Sequence, residues 1–321
     1  MNKSTEIFGI DISKDVFDVF SLDKGHDQFS NNEKGFKQFI KKLSRESLVV
    51  MEATGYYHYC LAQYLYEKGY VVSVVNPLSV KRFIQMKLSK IKTDKSDAKS
   101  ICEYARNNEV PFYTAKNKNQ AECLQILRLV DTYIKHRTAM KNKMDGEKVL
   151  GVPSKAVYRS LSRTVKRLNQ EIDVLEERLK SLVKEEQQEQ LTLLKTIPGI
   201  GEKAAILLVV FTDGFSKFEN SKQLCSYAGI TPTIRQSGSS VRGRSRISKI
   251  GNKKLRNQLF LSSFTACQYN KACRELFERI VEQGKSKKLA LLAVCNKLLK
   301  QAFAIVKSGL PYNENFVLKL V

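Results

Sequence analysis

Four acidic residues are placed so that they can converge at one edge of a sheet as oxygen ligands. Asp11 ends the first apolar run in FGIDISKD, Glu52 ends a later one in VVMEATG just before a glycine-containing turn, and Asp94 and Asp97 lie three apart in KTDKSDA among Lys90, Lys92, Lys95 and Lys99. In a helix, side chains at i and i+3 are neighbours, so Asp94 and Asp97 share one face of the helix that KTDKSDAKSICEYA predicts. Hard divalent cations such as Mg2+ take oxygen ligands, and two such ions bridged by carboxylates activate the attacking oxygen and stabilise the leaving one in phosphodiester cleavage. Taken singly, each acid has a plainer explanation: a cap or turn at a strand end, or, for Asp94, a favourable place in a helix dipole. Taken together, in the order D…E…D-x-x-D, they predict a metal site, with the lysines around them, Lys92 and Lys95 included, attracting a phosphate backbone.

The elements that must position these acids are legible in the apolar pattern. EIFGIDI and DVFDVFSLD read as strands, followed by a polar turn around Lys24 and Gly25, a helix at GFKQFIKKL and an apolar strand in SLVVMEA. A helix at YYHYCLAQYLYEKG, a strand YVVSVV ended by Asn76-Pro77 and helical segments from Ser79 onward complete the region. A β-rich start passing into β/α alternation predicts an α/β domain with a mixed sheet covered by helices.

From about residue 120 to 192 the pattern is helical, broken once at LGVPS. Leu161, Val165, Leu168, Ile172, Leu175, Leu179 and Leu182 follow steps of four and three, an a/d seam that needs a partner helix. The partner is either the preceding helix, rich in Leu124, Leu127 and Ile134, or the same helix of a second subunit; the charged flanks favour a dimer. In KTIPGIGEKAA, Pro198-Gly199-Ile200-Gly201 separates two helical patterns, resembling a helix-hairpin-helix element whose second helix offers backbone N–H groups to a phosphate near Gly199, Gly201 and Lys203; a tight turn between core helices fits equally. Beyond it, no carboxylate occurs between Glu219 and Glu275, while Arg235, Arg242, Arg244, Arg246, Lys249, Lys253, Lys254 and Arg256 crowd together. Mutual repulsion resists compaction of such a segment unless a polyanion lies among its cations, so it is expected to be a loop and helix start gripping a nucleic-acid backbone.

Composition agrees. The 321 residues carry 55 Lys and Arg against 32 Asp and Glu, a formal charge of +23, the footprint of a nucleic-acid partner. Seven scattered cysteines without a CxxC pair predict reduced thiols, and three histidines away from any cysteine pair argue against zinc. The N-terminus lacks a long apolar core, and no bilayer-spanning run is expected, so the predicted location is cytoplasmic with no membrane partner.

GIDISKD, MEATGYY, VVNP and KTDKSDA, followed by IPGIGEKAA, YAGITP, SGSSVRG and ISKIGNKKLR, resemble the DEDD transposases of bacterial insertion sequences, the insertion-sequence-110 type related to the Piv invertase, described as bridge-RNA-guided recombinases. The resemblance runs almost end to end. It implies an RNase H-like, Holliday-junction-resolvase-like α/β domain over residues 1–118, a helical linker and coiled coil over 119–192, and a mainly helical C-terminal transposase domain over 193–321. It implies that Asp11, Glu52, Asp94 and Asp97 are the catalytic tetrad binding Mg2+, and that a C-terminal serine attacks DNA. The matching residue is Ser237, the first serine of SGSSVRG, with Ser239 and Ser240 as neighbours that local chemistry leaves open. A serine hydroxyl is a weak nucleophile unless activated, and an adjacent metal-carboxylate cluster can supply that activation.

The resemblance further implies donor and target DNA as substrates, a structured non-coding guide (bridge) RNA that chooses the sites, and a nucleoid-associated location. Since Ser237 and the tetrad lie in different domains, the centre is expected to be assembled between subunits, in a homodimer through the coiled coil and a tetramer in the synaptic complex. Two other readings share these residues: a hydrolytic nuclease or junction resolvase in which water attacks, and a non-catalytic nucleic-acid-binding scaffold.

Overall fold

The computed structural model describes residues 6–53, 55–88, 93–115, 117–152, 154–233, 236–237, 241–242 and 246–315, with 236–237 and 241–242 by their backbone alone. It forms two compact units, Met1–Lys116 and Asn117–Val321.

The first unit is built on a five-stranded sheet. Strands β1 (Ile7–Ile12), β2 (Val16–Ser21) and β3 (Gly25–Ser30) form an antiparallel meander, helix α1 (Glu33–Ile40) follows, and β4 (Leu48–Glu52) and β5 (Val71–Val75) are joined by α2 (His58–Glu67). The order is β3-β2-β1-β4-β5, with β4 parallel to both β1 and β5, so the sheet is mixed. The third strand stands where the sequence predicts only a turn. Its residues, GHDQFS, are largely polar, and it sits at the sheet's edge with an exposed end, where apolar alternation is weakest.

Alternation of side chains across the sheet separates two cores. Phe8, Ile10, Phe17, Val19 and Met51 pack with Phe36 and Phe39 of α1 and Leu61 and Leu65 of α2. On the opposite face, Ile7, Leu48 and Val50 pack with α3 (Pro77–Met86) and α4 (Asp94–Asn107) through Val80, Ile101 and Ala105. VVNP is the hinge into α3: Asn76 caps the helix by accepting from Leu78 N at 2.9 Å, and Pro77 takes the first position, where its missing N–H costs nothing. KTDKSDA opens α4 in the same way. Thr93 accepts from Ser96 N at 3.1 Å while Ser96 Oγ accepts from Thr93 N at 2.8 Å, a capping box that puts Asp94 and Asp97 in the first turn.

Helix α4 lies directly on β1 because residue 9 is glycine. A Cβ there would stand 2.3 Å from both Ala98 O and Cys102 N. One turn along, the Cys102 thiol donates to Ile7 O at 3.3 Å. As β1 runs from residue 7 through 9 to 11, α4 runs from 102 through 98 to 94, so the two elements are antiparallel and the helix's acidic first turn meets the end of the strand.

The second unit is mainly helical. Helices α5 (Lys118–Val149) and α6 (Lys155–Lys195) form a long hairpin, followed by α7 (Glu202–Thr212), α8 (Ser221–Ala228), the short strands β6 (Pro232–Thr233), β7 (Gln236–Ser237), β8 (Val241–Arg242) and β9 (Arg246–Ile247), and α9 (Lys253–Tyr269), α10 (Lys271–Glu282) and α11 (Lys287–Ser308). The seam of α6 finds its partner in α5 of the same chain. Ile172, Leu179 and Leu182 are buried with Cys123, Ile126, Leu127 and Val130, whereas Leu161, Val165 and Leu168 are half-buried. One continuous core joins this hairpin to α7, α8, α9 and α11.

Between α6 and α7, Gly199 adopts φ +102, and a Cβ there would stand 2.6 Å from the Ala266 side chain, so the IPGIG turn is pressed against α9. Helix α7 is buried nearly all round from Ala204 to Val210. Helix α11 is long and apolar enough by length and composition to cross a bilayer, contrary to the sequence expectation, but Ala290, Val294, Cys295, Leu298, Leu299 and Ala302 are buried in the core.

Gly9→Ala is expected to destabilise the first unit by about 1–3 kcal/mol, because the colliding atoms are backbone and cannot rotate away. Urea melts followed by circular dichroism measure this; a variant within about 0.5 kcal/mol of wild type would mean that α4 does not rest on β1 there.

Candidate active site and nucleic-acid interface

The acids of the first unit are brought to one place by three elements. Asp11 lies near the end of β1, on the same face as Ile7 and Gly9, since side chains two apart in a strand share a side. The parallel register runs from Ile7↔Leu48 to Ile10↔Met51, so the next pair along sets Glu52 beside Asp11. The antiparallel descent of α4 over Gly9 brings Asp97 and Asp94 to the same end. Asp11, Glu52 and Asp97 are half-buried, and Asp94 and Lys95 are exposed.

Three further residues belong to this cluster. In the antiparallel pair of β1 and β2, Asp18 stands directly opposite Asp11. Asp18 is only 5% exposed and accepts from His26 Nε2 at 2.7 Å and from Gln28 Nε2 at 3.3 and 3.2 Å. His26 and Gln28 come from β3, the strand hidden by its polar composition. The signal was present in the alternation: Phe17 and Val19 point to one core, which leaves Asp18 on the face of Asp11.

Burial, followed by the negative charges of Asp97, Asp94, Glu52 and Asp18 in that order, pushes the Asp11 carboxyl up from 3.8 to about 6. The other three predicted acids therefore all act on Asp11. Among the described residues, no three His, Cys, Asp or Glu side chains close to a common metal-ligating distance, so the acids are gathered within electrostatic reach yet spread, a spacing that like-charge repulsion favours. As a donor set they fit a hard divalent cation: every candidate ligand is a carboxylate oxygen, and a cation would offset the repulsion that now falls on Asp11.

In the second unit, the basic segment is not one loop. β6 pairs with β9 through Thr233↔Arg246, and β7 pairs with β8 through Gln236↔Arg242 and Ser237↔Val241, so Ser237 ends one strand of a short ribbon. Ser248 N, Lys249 N and Asn252 N donate to Thr231 O, Gly229 O and Tyr227 O, which ties the base of the segment to the end of α8. Asn252 then caps α9 by accepting from Leu255 N at 3.0 Å.

The predicted cations divide by environment. Arg246, Lys249 and Lys253 are exposed. Lys254 pairs with Asp131 at 3.0 Å and donates to Leu127 O, and Arg256 donates to Ala228 O at 2.8 Å. Lys203 pairs with Glu176, and Glu202 in the first turn of α7 pairs with Lys180 at 2.8 Å. Lys92, Arg235 and Arg244 lie outside the described residues, as do Ser239 and Ser240, and for Arg242 only the backbone is described.

Residues 8–148 match the family model of DEDD transposases of the IS110 type, and residues 191–278 match that of transposases of the IS116/IS110/IS902 family. The first span includes Asp11, Glu52, Asp94 and Asp97, and the second includes Ser237. The pilin gene-inverting proteins of Moraxella lacunata and Moraxella bovis are 29% and 28% identical to this chain, each over 97% of it and 98% of the relative. The transposase for insertion sequence element IS1111A of Coxiella burnetii is 26% identical over 80% of this chain and 76% of its own.

An acid whose folded pKa is raised costs stability as pH climbs from its unfolded value to its folded one. Asp11→Asn should therefore leave stability unchanged below about pH 4 and stabilise the first unit above about pH 6. The gain should be about 1 kcal/mol, discounted from the full shift because the site is partly solvated. Urea melts at pH 4 and pH 7.5 in EDTA measure it; equal stability of the two proteins at pH 7.5 would show that neither burial nor the neighbouring acids raise Asp11.

Proposed function

The chain belongs to the IS116/IS110/IS902 family of transposases, enzymes that cut and rejoin DNA, and on that premise we propose that it is an RNA-guided recombinase with Asp11, Glu52, Asp94 and Asp97 as Mg2+ ligands and Ser237 as nucleophile. The observation that carries this reading is the convergence of acids from β1, β4 and α4 on Asp11. The family generally uses divalent metal ions, and the all-oxygen donor set favours magnesium. The order β3-β2-β1-β4-β5, antiparallel on one side of β1 and parallel on the other, supports an RNase H-like first unit.

When bound among these carboxylates, a divalent ion supplies charge stabilisation to the attacking and leaving oxygens. The chain supplies the rest. Asp11 and Glu52 are held on adjacent strands and Asp94 and Asp97 on a capped helix, so the backbone that would present the ligands is placed before substrate arrives, and the side chains would close on the ion as it binds. Ser237 Oγ bonds to the scissile phosphorus while the bond to the departing strand breaks. The serine proton passes to a base in the acidic cluster, and the departing oxygen takes one up. One phosphodiester replaces another, so the reverse attack by a second strand needs no external energy. Arg246, Lys249 and Lys253, exposed beside the ribbon that bears Ser237, are the first candidates for holding phosphates, with Arg242 next to them in the chain.

The formal charge of +23 supports binding of DNA and of a structured guide RNA together. A relative named for inverting a pilin gene supports recombination between two sites. In this reading, the helical hairpin pairs subunits into a homodimer, two dimers form the synaptic complex, and Ser237 of one subunit serves the acids of another.

Denaturing gels of end-labelled donor and target DNA, incubated with the protein, its guide RNA and Mg2+, test the chemistry. Wild type should leave protein covalently attached to cleaved DNA, and Ser237→Ala should reduce the adduct by at least about 10³-fold while still binding nucleic acid. Cleavage without an adduct would mean that water attacks and that the protein is a hydrolytic nuclease or junction resolvase.

A further inference from the structure

We propose that Asp18 is a positioning residue of the acidic site, a fifth carboxylate clamped by His26 and Gln28 that strengthens capture of a divalent cation by Asp11 and its neighbours. The inference rests on the metal-binding reading of the tetrad and adds to it a residue outside that set.

Burial sets Asp18 apart. Ionised side chains are seldom this buried unless paired, and Asp18 is the most enclosed acid of the cluster, with 6% of its side chain exposed. Two residues of β3 maintain it. Oδ1 accepts from His26 Nε2 at 2.7 Å and Gln28 Nε2 at 3.3 Å, and Oδ2 accepts from Gln28 Nε2 at 3.2 Å. Held on both oxygens from the β3 side, the carboxylate acts through its charge rather than as a ligand.

Its place gives that charge a target. Residues directly opposite in an antiparallel pair have Cβ atoms about 5 Å apart, and like charges there are destabilising. Asp18 opposite Asp11 is such a pair, and its charge is among the causes that raise Asp11. For folding alone, an apolar residue or asparagine would serve this position better. For a cation approaching Asp11, the added negative charge is favourable, and one unit of charge about 6 Å from a divalent ion in a water-like surrounding changes affinity roughly tenfold. Carboxylates one layer behind metal ligands commonly act on affinity to this degree.

Calorimetric titration of the full chain with MnCl2, without DNA, tests the proposal, with thermal melts in EDTA as the folding control. Asp18→Asn should raise the Mn2+ Kd about tenfold at an unreduced Tm, and Asp18→Glu, which restores the charge, should recover most of that loss. Asp11→Asn should abolish the binding. If Asp11→Asn loses Mn2+ while Asp18→Asn binds it like wild type, the role given to Asp18 is wrong and the tetrad reading stands. If Asp11→Asn binds Mn2+ like wild type, the tetrad reading fails and takes this inference with it. Should Asp18→Asn not melt cooperatively, Gln28→Leu, which leaves the charge but frees one oxygen, gives the reading: a Kd raised about threefold supports the clamp, and an unchanged Kd overturns it.

Discussion

The contact on which the acidic site depends is the backbone approach of α4 to β1 at Gly9. No side chain separates the strand from Ala98 and Cys102, so the helix settles one methyl group closer than any other residue would permit. That closeness, with the antiparallel direction of the two elements, carries Asp97 and Asp94 to the end of the strand where Asp11 stands. The capping box of Thr93 and Ser96 fixes where the helix begins, and hence which turn carries the acids. Parallel pairing of β1 with β4 fixes Glu52 in the same way. The site is thus specified by backbone geometry before any ligand is considered.

The electrostatics run against folding. Burial first, and then acids brought together from three elements, raise the Asp11 carboxyl to about 6, and Asp18 adds a further charge from the adjacent strand. Such crowding persists where function requires it, and the remaining packing of the unit has to offset it. The second unit shows the complementary case. Lys254, Arg256 and Lys203 are satisfied by intrachain partners, whereas Arg246, Lys249 and Lys253 stand exposed on the segment around the ribbon. A sequence count of cations cannot separate these two groups, because the distinction arises only when α9 packs against α5 and α8, and α7 against α6.

Much of the architecture was legible because it is written in apolar period. The strands containing Asp11 and Glu52, the helix opened by KTDKSDA and the long helical pair all follow from alternation or heptad spacing. What escaped was polar or tertiary. β3 is an edge strand whose polar residues resemble a turn, and with it went His26, Gln28 and the reason to notice Asp18. The seam from Leu161 to Leu182 was visible, but the choice of α5 over a second subunit for its buried half depends on packing that heptads do not encode. The segment from Thr233 to Arg246 read as a loop because its strands are two residues long and rich in Ser, Gly and Arg.

Anomalous scattering from crystals of the protein bound to DNA in Mn2+ locates any ion held by the acids of β1, β4 and α4. Manganese should lie among carboxylate oxygens of Asp11, Glu52 and at least one of Asp94 and Asp97, at about 2.2 Å. Ordered manganese bound elsewhere, with those four side chains more than about 6 Å from any ion, would contradict it.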